Sequence, residues 1–215
     1  MKPSSTSNLI IGLAYLLLLG FLASCKKSTI GTTTPGLSQD IQNIVPTWLV
    51  DSLRNDGMAI NEGQTPPVVD GIYLFSPNVC TYDNTGDFSV GRVIDDYKYK
   101  FYGQNNTNLT IMLDYKDVSN PGTDSSQGAG AFVSGKDSLF SLFIQTTGVT
   151  QGIDDTLLSV YSGKFTAAGI VNFQQALYIK GEGPGAAGIL APVGTTRIFE
   201  VGSTTGGLAP VQSSY

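Results

Sequence analysis

The chain contains no histidine. That removes Ser-His-Asp and Cys-His nucleophilic catalysis and any zinc centre built on imidazole ligands. Glutamate is scarce, with 3 Glu against 14 Asp. Glu favours helices, whereas Asp favours turns and helix starts, so the shortage argues against a helical fold. Only 12 Lys and Arg are scattered through 215 residues, and the formal charge is −5. With no basic patch to neutralise phosphates, nucleic acid is excluded as a partner. Cysteine occurs only at Cys25 and Cys80, and tryptophan only at Trp48.

What is present begins with an export signal over residues 1–24. Lys2 is the only charge before Lys26, and Leu9 to Phe21 is almost wholly apolar. A core of about 7–15 apolar residues is the size of a secretory signal, whereas a membrane span needs about 20. The stretch ends in Leu22-Ala23-Ser24-Cys25. This tetrapeptide resembles the lipobox of bacterial lipoproteins. The resemblance implies that the Cys25 thiol is acylated, with palmitate among the chains, that residues 1–24 are cut away, and that Cys25 becomes the first mature residue. Several acyl chains make a stable anchor, where one binds only marginally. Residues 25–37, with Lys26, Lys27 and a Thr/Gly/Pro run, read as a flexible tether of roughly 20 Å reach. The style resembles Bacteroidetes lipoproteins, which implies the outer membrane. The acidic run that accompanies surface export in that group is missing, so the periplasmic and cell-surface faces both stay open.

The remaining segment, 38–215, is long enough for one domain with a real core. If Cys25 carries lipid, Cys80 has no disulfide partner, and it reads as a buried structural residue. Ile41, Ile44, Val45, Trp48, Leu49 and Leu53 recur at helical spacing, with Ser38 placed to cap and Gly57 placed to terminate. Pro46 divides the stripe, which predicts one short turn and then a helix over about 46–56 with Trp48 on its core face.

From Val68 onward the period changes to two. Tyr97, Tyr99 and Phe101 alternate with Lys98 and Lys100, and Leu109, Ile111, Leu113 and Tyr115 alternate with polar residues. Gly103 to Asn106 is turn material between them. Further strands are expected at 68–76, 130–134, 139–146, 157–164, 170–180 and 196–201, with Val171, Phe173, Leu177 and Ile179 on one face of the longest. No helix-length segment separates the strands, so parallel βαβ units are excluded. The expected fold is all-β with one short N-terminal helix and about eight antiparallel strands, closed as an up-and-down barrel or stacked as a β-sandwich. Asp70-Gly71-Ile72-Tyr73 on the first strand and Arg197 on the last resemble the lipocalin arrangement. That family packs a Gly-x-aromatic ring against an arginine from the end of the barrel, which implies a lipocalin-like barrel with Tyr73 standing where tryptophan is usual.

No catalytic, cofactor or metal motif stands out. Asp95-Asp96 and Asp154-Asp155 are paired carboxylates, but neighbours on a strand face opposite ways and cannot work as a pair. Asp83 to Asp87 has alternating oxygens like a calcium loop, yet lacks the later Glu and reads as a polar turn. Gly181 to Gly185 lacks a following helix to hold phosphate. Asp137-Ser138-Leu139 and Asp155-Thr156-Leu157 resemble the Bacteroidetes O-glycosylation motif, which implies glycans on Ser138 and Thr156 at exposed turns before strands. The inward aromatic set predicts a modest apolar pocket at the open end, formed by Tyr97, Tyr99, Phe101 and Tyr115. Two functions fit: a non-catalytic module binding a small apolar molecule or a sugar, and a structural or adhesive surface lipoprotein with a filled core.

Overall fold

Two short helices precede the sheet where the apolar stripe was split. The computed structural model describes residues 36–122, 124–202 and 207–208. Cys25 and the expected signal lie outside those residues. Helix α1 (Gln39–Ile44) is capped by the Ser38 hydroxyl, which accepts from the Ile41 amide, and α2 (Thr47–Asn55) opens directly after Pro46. Ile41, Val45, Leu49, Val50 and Leu53 are buried against Phe143, Leu158, Val160, Ala176 and Ile198 of the sheet. Leu37, assigned above to the tether, is buried in the same cluster, so packing begins before Ser38. Trp48 corrects the sequence reading: it is 58% exposed, and its ring meets that of Tyr178 edge-on. The core stripe of α2 is Leu49, Val50 and Leu53. At about 100° per residue Trp48 lies roughly 145° around the helix from that stripe. The spacing that places Trp48 on one stripe with Ile41 and Val45 is broken at Pro46.

The strands are β1 (Gln64–Thr65), β2 (Gly71–Phe75), β3 (Asn78–Asp83), β4 (Val93–Ile94), β5 (Tyr97–Asn105), β6 (Thr110–Asp117), β7 (Ser125–Lys136), β8 (Leu139–Thr150), β9 (Ile153–Thr166), β10 (Gly169–Glu182), β11 (Thr196–Val201) and β12 (Gly207–Leu208). They form one sheet in the order β2-β5-β6-β7-β8-β9-β10-β11-β3-β4, rather than two stacked ones. β1 joins β7 in parallel, and every other pairing among these strands is antiparallel. Strands β5 to β11 form a sequential meander. The first stretch of the sheet is divided at Pro77, which has no N–H for the ladder. Its first half, β2, pairs with β5, and its second half, β3, pairs with β11, so the same stretch meets both ends of the meander. Strand β3 was not anticipated, because Asn78 and the polar residues after Cys80 hide its alternation.

The sheet curls into a barrel-like form. Tyr99 on β5 touches Tyr161 on β9 at 5.2 Å between ring centroids and Phe173 on β10 at 6.2 Å, although neither strand neighbours β5 in the sheet. Phe75, Phe101, Phe140 and Ile144 complete this interior. Strands β8 to β10 are buried on both faces, inward by the barrel core and outward by the helices, which explains why 139–144 reads as a nearly continuous apolar run.

Two registers differ from expectation. The turn between β5 and β6 falls at 106–109, three residues beyond the predicted Gly103–Asn106, because an irregularity between Tyr102 and Asn105 lengthens β5. On β10 a bulge follows Val171, with Asn172 at φ +53°, so Ile170 takes the interior place expected of Val171. The outer helices connect to β2 through a strap over β7 and β8. The Asn61 amide donates to the Ser141 hydroxyl at 2.8 Å, and the Asn61 side-chain amide donates to the Phe140 carbonyl at 2.9 Å.

Candidate functional site

Alternate connections of a meander fall at the same end, and here four loops gather over one end of the barrel. A cleft of about 880 Å³ opens there, lined by residues from the β3–β4, β6–β7, β8–β9 and β10–β11 connections. Ile94, Leu157, Leu177 and Phe199 form its apolar wall. Beneath it lies a narrower recess of about 60 Å³, reached by Asn78, Tyr97, Tyr99, Tyr115, Asp124 and Gln175. The recess has room for a few water-sized groups, and the cleft is within the usual range of small-molecule pockets.

Three tyrosines floor this end. Tyr97, Tyr99 and Tyr115 have ring centroids 6.0–6.2 Å apart, on the facing sides of β5 and β6. The Tyr97 hydroxyl donates to Asp124 at 2.9 Å, and the Tyr115 hydroxyl reaches the other oxygen of that carboxylate at 3.4 Å. The Tyr99 hydroxyl donates to the Gln175 side-chain Oε1 at 2.7 Å. Burial pushes all three phenols well above their ordinary range, and nearby carboxylates add to the effect on Tyr97 and Tyr115. They are therefore neutral donors at any physiological pH. Phe101 does not join them at the cleft. It lies deeper, stacked on Tyr99 at 6.3 Å and against Tyr161 at 6.0 Å.

The rim is acidic. Asp87, Asp95, Asp117, Asp124 and Asp155 line the cleft, and Arg197 is the one cation among its described lining residues. Arg197 is already engaged: its Nε donates to Asp83 at 2.6 Å, and its guanidinium lies 4.0 Å from the Phe88 ring centre. The lipocalin resemblance would set Tyr73 beside this arginine. Instead Tyr73 packs on Phe101 and donates to the Val69 carbonyl, and Phe88 receives the guanidinium. Asp124 titrates higher than an ordinary carboxylate. Burial is the main cause, and the Asp155 and Asp117 charges work in the same direction against the bonds from Tyr97 and Tyr115.

The remaining predicted sites separate as follows. Asp83 is a turn residue, accepting from the Thr85 amide and hydroxyl and from the Gly86 amide, and no group of three potential ligands able to hold a metal ion occurs among the described residues. Of the paired carboxylates, Asp155 is buried and accepts from the Thr150 hydroxyl at 2.6 Å, while Asp154 is exposed. Ser138 is half-buried in the β7–β8 turn. Thr156 corrects the expectation of an exposed turn, since it lies within β9 after the buried Asp155. Cys80 is fully buried, and that burial raises its thiol pKa.

No family model, curated protein or solved structure matches this chain. The site must therefore be read from its own residues. Sequence reasoning missed Asn78, Asp124 and Gln175. Gln175 was legible in principle, because it shares its strand parity with the interior Phe173 and Leu177. Asp124 sits in a connection with no periodicity to mark it. No helix among the described residues is long and apolar enough to cross a membrane.

Proposed function

We propose that this chain is a non-catalytic lipoprotein of the bacterial outer membrane, anchored through Cys25, whose domain binds a small apolar molecule or a sugar at the barrel mouth. The cleft carries this reading. About 880 Å³ of concave space has an apolar wall, a tyrosine floor and a few convergent polar groups, the composition expected of a ligand pocket. The finer fold belongs to the same proposal. Counting β2 and β3 as one strand bent at Pro77 makes an eight-stranded, lipocalin-like up-and-down barrel, of a size that holds one small ligand. The lipobox-like Leu22–Cys25 supports the anchor, and the half-exposed turn at Ser138 supports a glycan there in preference to Thr156.

A structural or adhesive role has its own support in the lower half of the barrel, which Phe75, Tyr99, Phe101, Tyr161 and Phe173 fill. Calorimetry separates the two. The full chain is held in lipid nanodiscs, with protein-free discs as blank, and titrated with 1-naphthol and with glucose. Leu177→Trp and Ile94→Trp would each fill the cleft. A saturable heat for at least one probe, abolished in whichever blocked variant still unfolds cooperatively, supports binding. Equal heats in wild type and blocked variants leave the structural role standing.

A further inference from the structure

The polar groups at the mouth do not suit a neutral ligand equally well. The cleft carries five carboxylates and a single described cation, and that cation is held by Asp83, which lies outside the lining. Asp124 is the innermost of the five, since it alone lines both cleft and recess. Its described partners are two neutral phenols. Asp117 and Asp155 add repulsion rather than relief. Asp124 is half-buried, and a carboxylate so placed without a countercharge carries a desolvation cost that a cation arriving beside it partly recovers.

An independent group points the same way. Asn78 lines the recess and is 1% exposed. It stands opposite Val201 on β11 and two residues from Cys80, both interior, so its side chain faces inward. Its amide nitrogen is turned to the Asp95 carbonyl at 3.4 Å, while its Oδ1 has no hydrogen-bond partner. A buried acceptor left unmade costs about 1–3 kcal/mol and calls for a donor. Phenol faces around the recess also attract positive charge. No three His, Cys, Asp or Glu side chains converge in a group able to hold a metal ion among the described residues, so the mouth suits an organic cation better.

We infer that the ligand of this mouth is an organic cation, an ammonium group seated in the recess between Asp124 and the Asn78 Oδ1, with its apolar body against Ile94, Leu177 and Phe199. The inference rests on the binding reading above and names its ligand class. The ammonium supplies the donors that Asn78 lacks and the charge that Asp124 lacks. The recess of about 60 Å³ takes the head group, and the body remains in the wider cleft.

Three probes of similar shape test this in the same nanodisc calorimetry at pH 7: 2-phenylethylammonium, 2-phenylethanol and 3-phenylpropanoate. The cation should bind at least tenfold more tightly than the alcohol, and the carboxylate weakest. Asp124→Asn should bring cation and alcohol within about twofold of each other while keeping the alcohol's affinity. Asn78→Leu should weaken the cation at least fivefold, and it serves as the second variant if Asp124→Asn fails to fold. Should the alcohol match the cation in wild type, the charge inference falls and the binding reading stands. The charge inference falls in the same way if cation binding ignores Asp124→Asn, or if all three probes fail while 1-naphthol or glucose still binds. If none of the five probes binds, both readings fall.

Discussion

Replacing Asp83 with alanine removes one half of the pair that holds the rim of the mouth. The Asp83 side chain is wholly buried, and its two oxygens are fully used. One accepts from the Thr85 amide and hydroxyl, each at 2.6 Å, and from the Gly86 amide at 2.9 Å, while the other accepts from Arg197 at 2.6 Å. Arg197 is 13% exposed, and its next carboxylate, Asp87, is 3.7 Å away and mostly in solvent. Breaking a buried pair typically costs about 3–5 kcal/mol, because a charge is left behind. Asp87 and the Phe88 ring soften that here, so the expected loss is about 3 kcal/mol. For a domain of this size that lowers Tm by roughly 6–12 °C. Arg197→Met should cost less, about 2 kcal/mol, since Asp83 keeps its three turn donors. The double variant should be milder than the sum of the singles by about 1–2 kcal/mol. Thermal unfolding of the full chain in detergent, followed by far-UV circular dichroism, reads all four proteins. A loss below about 1 kcal/mol for Asp83→Ala, or strict additivity, would refute the claim that this pair stabilises the rim.

Two further outcomes follow from the same residues and from the N-terminus. Burial alone would raise the Asp83 carboxyl, but bonds from Thr85 and Arg197 outweigh it and bring it down to about 2. A folded pKa below the unfolded value gives stability that is present above about pH 4 and lost as pH falls through 2. The stability gap between wild type and Asp83→Asn should therefore narrow between pH 4 and pH 2 in acid titrations of Tm; a gap that stays constant over that window contradicts the assignment. Cys25→Ala should release the protein from the membrane fraction or stall its processing, as seen by fractionation and mass spectrometry, and unchanged processing with unchanged partitioning would remove the anchor.

The strands that obey one rule were easy to read. Tyr97–Phe101 and Ile111–Tyr115 alternate because one face is interior and the other meets solvent, and β11 falls on the predicted residues 196–201, whereas Leu109, expected on the second strand, sits in the turn before it at φ +56°. The departures have local causes. Pro46 rotates α2 so that Trp48 leaves the core, and Asn172 inserts a bulge that exchanges Val171 for Ile170. Strand β3 escaped because it places Asn78 where an apolar residue would have announced a strand. The tyrosines of the mouth were legible from parity alone. Their acidic partner was not, because Asp124 lies in the β6–β7 connection, outside any strand period, and reaches Tyr97 only through the pairing of Tyr97 with Asp117.

Three polar residues that sequence reasoning missed gather at the mouth. Along the interior faces, apolar side chains prevail, yet Asn78 and Gln175 intrude on β3 and β10, and Asp124 projects from a connecting loop into the same space. Each is unfavourable where it stands unless something answers it: an unpaired acceptor, an amide among rings, a carboxylate without a countercharge. A barrel selected only for solidity could fill that space with Leu or Phe, as the lower half does with Phe75, Phe101 and Phe173. Natural sequences tend to concentrate such locally costly choices where function needs them. The filled half then has a clear part in the design. Tyr99 stacks on Phe101 and contacts Phe173 and Tyr161, while its hydroxyl holds Gln175, so the packed rings fix the floor of the recess in place. A rigid lower core beneath an acidic, incompletely satisfied mouth is the arrangement expected of a binding site preorganised for a cation.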